Sequence, residues 1–262
     1  MLMRLSGAVI RALLVVIVFI TPAMLLPDIS RTSQELALII GIIFGGFTLF
    51  EYVSESPGFV DFRFAPPYNR LRIALLASQL IIVSILMRAL ESGADMFPII
   101  NGWAERAVDA THIPFGPVDI AMRAMDTASN PVVQFVFAYS FAHTLLGTLL
   151  IIFILLFFRW PVDRASFNLW VNLPAFQPME HLQAERRLRR DALFNILFGI
   201  ALFYLMPPGL DAGLKLLGQN IILYEQPLVW MAAAWTFIPA SMLIRGAAIL
   251  KIVRIMRIAR GE

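Results

Sequence analysis

Six apolar runs, at 12–26, 36–50, 73–87, 131–158, 192–206 and 228–244, divide this chain, and 16 of its 21 Lys and Arg residues fall in alternate gaps between them. Inside hydrocarbon every backbone N–H and C=O needs an internal partner. Long unbroken apolar runs, as opposed to alternating ten-residue ones, meet that demand as helices and not as a barrel. The expected fold is therefore all-α, a polytopic transmembrane helical bundle forming one domain over 1–262. Its about six spans lie near 9–27, 35–52, 72–90, 131–158, 192–206 and 228–246. Composition agrees: 59% of residues are hydrophobic and 15% charged, against about 45–50% and about 25% in soluble domains.

The basic gaps also carry an orientation. Cytoplasmic loops are enriched in Lys and Arg, so the richer gaps place both termini in the cytoplasm of a cell inner membrane. Nineteen of the 21 basic residues are Arg, a bias attributed here to a GC-rich bacterial genome. The net charge of +3 is explained by arginines at membrane edges, where anionic lipids attract them, and no nucleic-acid partner is expected. The first run reads as an anchor, with a cleaved signal peptide as the alternative. Thr21-Pro22-Ala23 loosely resembles a cleavage site, but proline beside the cut is unfavourable and the apolar run continues through Leu25 and Leu26.

The loop 88–130 is read as external. Phe97, Ile100, Trp103, Ala107 and Val108 recur at helical spacing opposite Asn101, Glu105, Arg106 and Asp109, the pattern of a helix lying on a membrane surface. Gly116-Pro117 predicts a break and the first turn of a second short helix carrying Val118, Met122 and Met125. The loop 159–191 is read as cytoplasmic. From Pro178 nothing breaks a helix until Pro207-Pro208, so the fifth span is expected to protrude into the cytoplasm and end at the proline pair. Its protruding part carries Arg186, Arg187, Arg189 and Arg190. Residues 245–262 are expected to form a separate basic amphipathic helix on the inner leaflet or on a partner, with Lys251, Arg254, Arg257 and Arg260 on one half of its circumference. Those two clusters form the expected lipid- or partner-binding basic surface.

Chemistry is sparse. The chain has no cysteine, which removes disulfides, thiolate nucleophiles and Cys-ligated metals. Walker, HExxH and GxSxG patterns are absent, and no Asp or Glu falls in the middle of a span. No catalytic residue, metal ligand set or cofactor is assigned, and an enzyme is not the favoured reading.

The densest polar set lies in the fourth run, where Gln134, Tyr139, Ser140, His143, Thr144 and Thr148 form a stripe, with Gln79 of the third run as a neighbour. Polar side chains at membrane depth face a bundle interior or a cavity. His143 lies 15 residues before Phe158, about 23 Å into a core about 30 Å thick, and so near the outer interface. Tyr139 and His143, four apart on one face, are the weak candidates for a cofactor site; a satisfied interfacial histidine is the plain alternative. Gly41, Gly45 and Gly46 are expected to let helices approach closely, within the chain or between copies. Ser78, Gln79 and Ser84 read as interhelical hydrogen-bonding groups.

Three functions follow. The first is a non-catalytic integral membrane protein serving as an accessory, scaffold or assembly subunit of a larger inner-membrane complex, with other membrane subunits as partners. The second is a small channel or transporter whose path follows the polar stripe. The third is a quinone, pigment or haem binder at Tyr139 and His143. Segments 62–70 and 167–174, both assigned to the cytoplasmic side, are the expected docking site for a partner.

Overall fold

The computed structural model describes residues 2–27, 29–54, 58, 60–92, 98–125, 130–158, 160–161, 172–173, 181–216 and 225–259. The described residues fold as helices without strands: α1 (Leu2–Leu25), α2 (Arg31–Val53), α3 (Tyr68–Ser92), α4 (Pro98–Thr111), α5 (Pro117–Ala124), α6 (Pro131–Phe157), α7 (His181–Leu216) and α8 (Glu225–Ala259). Six of them, α1, α2, α3, α6, α7 and α8, are long and apolar enough to cross a membrane. The chain is an integral membrane protein by that measure.

Local chemistry starts these helices where the sequence changes character. Ser30 caps α2, its hydroxyl accepting the Ser33 amide at 3.1 Å. Asn130 caps α6 by accepting the amides of Val132 and Val133, and Pro131 fills the first helical position, where no amide donor is needed. Pro117 fills the first position of α5 in the same way, after Gly116, which makes no side-chain cap.

Packing brings six termini together at one end. Arg245 of α8 pairs with Asp61, just before α3, at 2.5 Å and with Asp191 of α7 at 3.0 Å. Lys251 donates to the Leu156 carbonyl at the end of α6, and Arg257 pairs with Glu185 of α7. Arg11 of α1 stacks on Tyr52 near the end of α2. This charged end covers a buried cluster of Phe62, Tyr68, Trp160, Leu188, Ile244 and Ile252. A second cluster, with Leu86, Met87, Phe137, Ala232 and Trp235, lies toward the other end, where α4 and α5 close over α6 and the end of α7.

Three expectations change here. Helix α7 does not stop at Met206; it runs through Pro207 and Pro208 to Leu216. Proline at 207 leaves the Phe203 carbonyl without its helical donor, and the Trp235 indole N–H of α8 supplies one at 2.9 Å. The basic stretch from 245 is not a separate surface helix. It continues α8, and Ile249, Ile252 and Val253 are buried in the charged-end cluster. The expected docking segment 62–70 is partly interior: Phe62, Ala65 and Tyr68 are buried, and Trp160 donates its indole N–H to the Ala65 carbonyl. Of the other expected docking segment, Asn172 and Leu173 are buried and the rest lies outside the described residues.

Close helix contacts fall at glycines. Gly41 and Gly45 lie against Val16 and Ala12 of α1, whereas Gly46 has open space around it. The closest approach to backbone joins α7 to α8, where a Cβ at Gly246 would stand 2.8 Å from the Ala192 carbonyl oxygen and one at Gly199 3.1 Å from that of Pro239.

Candidate functional site

Consecutive residues on a helix point about 100° apart, and α3 and α6 use that angle twice at one level. Gln79 and Thr144 turn inward toward α8. The Gln79 amide donates to Thr236 Oγ1 at 2.7 Å, its Oε1 accepts the Thr144 hydroxyl at 2.9 Å, and Thr236 donates to the Ala232 carbonyl at 2.9 Å. All three side chains are buried. Each hydroxyl proton is used once, and this polar layer, set between the two apolar clusters, satisfies itself.

Their neighbours Ser78 and His143 meet each other instead, with Ser78 Oγ 3.0 Å from His143 Nε2 and 3.0 Å from the Leu75 carbonyl. Ser78 has a single proton. Only one arrangement places a hydrogen in both contacts: Ser78 donates to Leu75, and His143 donates its Nε2–H to Ser78. In the neutral imidazole Nδ1 is then a bare acceptor. The Tyr139 ring lies along the His143 ring, centroids 5.7 Å apart and planes 17° apart. Tyr139 is 9% exposed, and its hydroxyl has no hydrogen-bond partner among the described residues.

Tyr139 and His143 line a groove of about 670 Å³ that opens sideways from the bundle. Its walls come from α3 (Ile82), α4 (Trp103, Arg106) and, further along α6, Leu146 and Leu150. Trp103, Leu146 and Leu150 are exposed toward the surroundings of the bundle. Arg106 makes no ion pair among the described residues. The groove thus has a cation at its α4 end, a hydroxyl and an imidazole in the middle, and an apolar wall beyond.

The remaining sequence candidates are scattered. Gln134 borders a small cavity of about 110 Å³ beneath α4 and α5, together with His112 and Asp119. Ser140 and Thr148 are buried on the inward face of α6 with hydroxyls that have no partner among the described residues, as is Ser84 on α3. Of the expected basic surface, Arg186, Arg189, Arg190 and Arg254 are exposed, and Arg187 is half-buried. Lys251 and Arg257 are engaged internally, and Arg260 lies outside the described residues. A second lateral groove of about 370 Å³ runs between α2 and the start of α8, with Phe19 and Trp230 in its wall.

No protein-family model matches this chain, and no curated protein or solved structure does either.

Sequence reasoning found Tyr139, His143, Gln79 and Thr144 but missed Ser78 as the histidine's partner, Thr236 as the third member of the inner layer, and Arg106 as part of a groove. Thr236 is flanked by Trp235 and Phe237 in an apolar run and gives no signal of its own. Ser78 had one available: it precedes Gln79 as His143 precedes Thr144, so aligning one polar pair across α3 and α6 aligns the other.

Proposed function

We propose that this chain is a non-catalytic multi-pass protein of a bacterial inner membrane that holds a lipophilic molecule by its polar head at Tyr139 and His143. The observation carrying this reading is the Tyr139 hydroxyl, which has no partner among the described residues and stands on a side chain nine-tenths buried, in the wall of a mostly apolar groove open to the side. The hydroxyl is open to the groove, and a ligand acceptor placed there gains a hydrogen bond worth about 0.5–1.5 kcal/mol. Ligand sites of this kind are mostly apolar with a few convergent polar groups.

Among head groups, those that exchange hydrogen bonds fit better than those that need a metal ligand. The Nε2 position of His143 is taken up by Ser78, so a haem iron or pigment magnesium would have to displace that contact or bind through Nδ1. The path required by the transporter reading passes the Gln79–Thr144–Thr236 layer, whose hydrogen bonds would all have to open. Orientation belongs to the same proposal. The alternation of basic gaps supports both termini in the cytoplasm, with exposed Arg186, Arg189, Arg190 and Arg254 facing an anionic leaflet and the groove's α4 end facing outward.

The test is extraction. Protein purified in mild detergent is extracted with organic solvent, and the lipophilic material is quantified per chain for wild type and for Tyr139→Phe with His143→Ala. The reading expects near-stoichiometric material in the wild type and a loss of about tenfold in the variant. Equal amounts in both would overturn it.

A second reading, an accessory subunit of a larger complex, is favoured by the α1–α2 hairpin. Helix α2 packs chiefly on α1, at the edge of the bundle, and exposes Ile39, Ile42, Ile43 and Phe47. A stable monodisperse monomer with no co-purifying protein would count against it.

A further inference from the structure

Resting on the groove reading above, we propose that the molecule held is a glycerophospholipid of the leaflet beneath α4, with its phosphate at Arg106 and its glycerol ester region at Tyr139 and His143. The groups along the groove stand in the order of such a lipid.

At the mouth stands Arg106, exposed on α4 and without a carboxylate partner among the described residues. Other arginines with a carboxylate in reach have taken it: Arg31 with Glu35, Arg123 with Asp119, Arg245 with Asp61 and Asp191, and Arg257 with Glu185. The acidic neighbours Glu105 and Asp109 do not line the groove. A guanidinium presents a planar fork of N–H donors that matches phosphate oxygens two at a time. Trp103, one turn earlier on the same face, adds an exposed indole of the kind that sits at headgroup level.

Below the cation come one donor and one acceptor, the Tyr139 hydroxyl and, by the proton count at Ser78, His143 Nδ1. An ester carbonyl accepts from the first, and a headgroup or glycerol hydroxyl donates to the second. Further along α6 the wall is Leu146, Gly147 and Leu150. The seven residues from His143 to Leu150 rise about 10 Å, an apolar wall for the upper part of an acyl chain. Cation, ester-binding pair and apolar wall thus follow the order of phosphate, glycerol ester and chain in one amphiphile. A neutral lipophile with a carbonyl head would satisfy Tyr139 and leave Arg106 unused. An amphiphile with only an ammonium head would be repelled there.

The experiment uses the full chain, delipidated in a neutral detergent and titrated with defined probes under native mass spectrometry. The probes are dioleoyl phosphatidylglycerol, dioleoylglycerol (the same chains without phosphate), a long-chain quinone and inorganic phosphate. The proposal expects one tightly retained phosphatidylglycerol per chain, with dioleoylglycerol about tenfold weaker. It expects Arg106→Gln to reduce phosphatidylglycerol to the dioleoylglycerol level and Arg106→Lys to do so only in part. Arg31→Gln, exposed at the start of α2, should change nothing. Equal binding of the two glycerolipids, unaffected by Arg106→Gln but lost in His143→Ala, would overturn the phosphate assignment and leave the groove reading intact. So would preferential retention of the quinone. Displacement of bound lipid by inorganic phosphate would replace the lipid site with an ion site. Absence of any stoichiometric species would overturn both this proposal and the reading on which it rests.

Discussion

Ser78 and Gln79 are adjacent on α3, and His143 and Thr144 are adjacent on α6, yet the two pairs they form have opposite character. Gln79 and Thr144 face α8 and find Thr236, so their donors and acceptors are spent within the protein. Ser78 meets His143, which lines the groove, and the Tyr139 hydroxyl beside it has no partner among the described residues. One helical step of about 100° separates a polar group used to hold helices together from one available to a ligand. Polar residues in a membrane span therefore cannot be assigned a role by depth or by count. Which neighbouring helix each one faces decides it.

Substitutions should act on the two stations separately. The largest loss of stability is expected at Gly246, on the seam that holds α8 and hence Thr236 in place. A methyl group there meets Ile196 Cγ1 at 2.6 Å and the Ala192 carbonyl oxygen at 2.8 Å. Backbone cannot yield as a side chain can, so Gly246→Ala should cost about 1–3 kcal/mol in a denaturant titration, while the folded fraction still binds its ligand. An unchanged midpoint would mean that the seam does not hold the inner layer in place.

Next is Gln79→Leu. It leaves the buried Thr144 hydroxyl without its acceptor and removes the donor to Thr236, for an expected cost of about 1–2 kcal/mol. The triple variant Gln79→Leu, Thr144→Val, Thr236→Val replaces the whole layer by apolar groups and should recover most of that loss. If the triple were no better than the single, the layer would not behave as a mutually satisfied unit. A smaller cost, about 0.5–1 kcal/mol, is expected for His143→Ala, which deletes a single bond to Ser78 and a ring contact at the edge of the groove.

The smallest effect lies outside both stations. Asp119 accepts the Phe115 amide and the Arg123 guanidinium at the start of α5. The Arg123 hydrogen bond, reinforced by that amide, holds its carboxyl below the usual carboxylate value. With the folded value depressed, this contribution is complete above the ordinary Asp range and is lost as pH falls through the depressed value. Arg123→Ala should move the Asp119 titration, followed by NMR, back up toward that range. A titration unmoved by the substitution would deny the Arg123 contact its role.

Much of this bundle was legible in the sequence because lipid imposes one dominant rule. Apolar runs of sufficient length become helices, and Gly116-Pro117 or Asn130-Pro131 carry their capping chemistry locally. What could not be read depended on partners distant in the chain. Pro207 and Pro208 looked like a stop because the donor for the freed Phe203 carbonyl is Trp235, 32 residues away. The terminal basic stretch looked like a free amphipathic surface because the carboxylate awaiting Arg257 is Glu185, 72 residues earlier. The aromatic segment around Phe62 and Tyr68 looked like a docking site because aromatic density marks an internal plug as readily as an interface, and here Trp160 packs on both rings. At the site itself, Tyr139 and His143 were visible as a helical pair. The groove was not, since its opposite wall is α4.

The central claim is that the two stations separate, one holding the fold and the other a ligand. It is tested most directly by measuring bound lipophile per folded chain, by native mass spectrometry, in wild type, Gln79→Leu and Tyr139→Phe with His143→Ala. The account predicts wild-type occupancy in Gln79→Leu despite its lower stability, and occupancy reduced about tenfold in the Tyr139 and His143 variant, about 1.4 kcal/mol for its two ligand hydrogen bonds together. Loss of occupancy in Gln79→Leu with full retention in the other variant would contradict it.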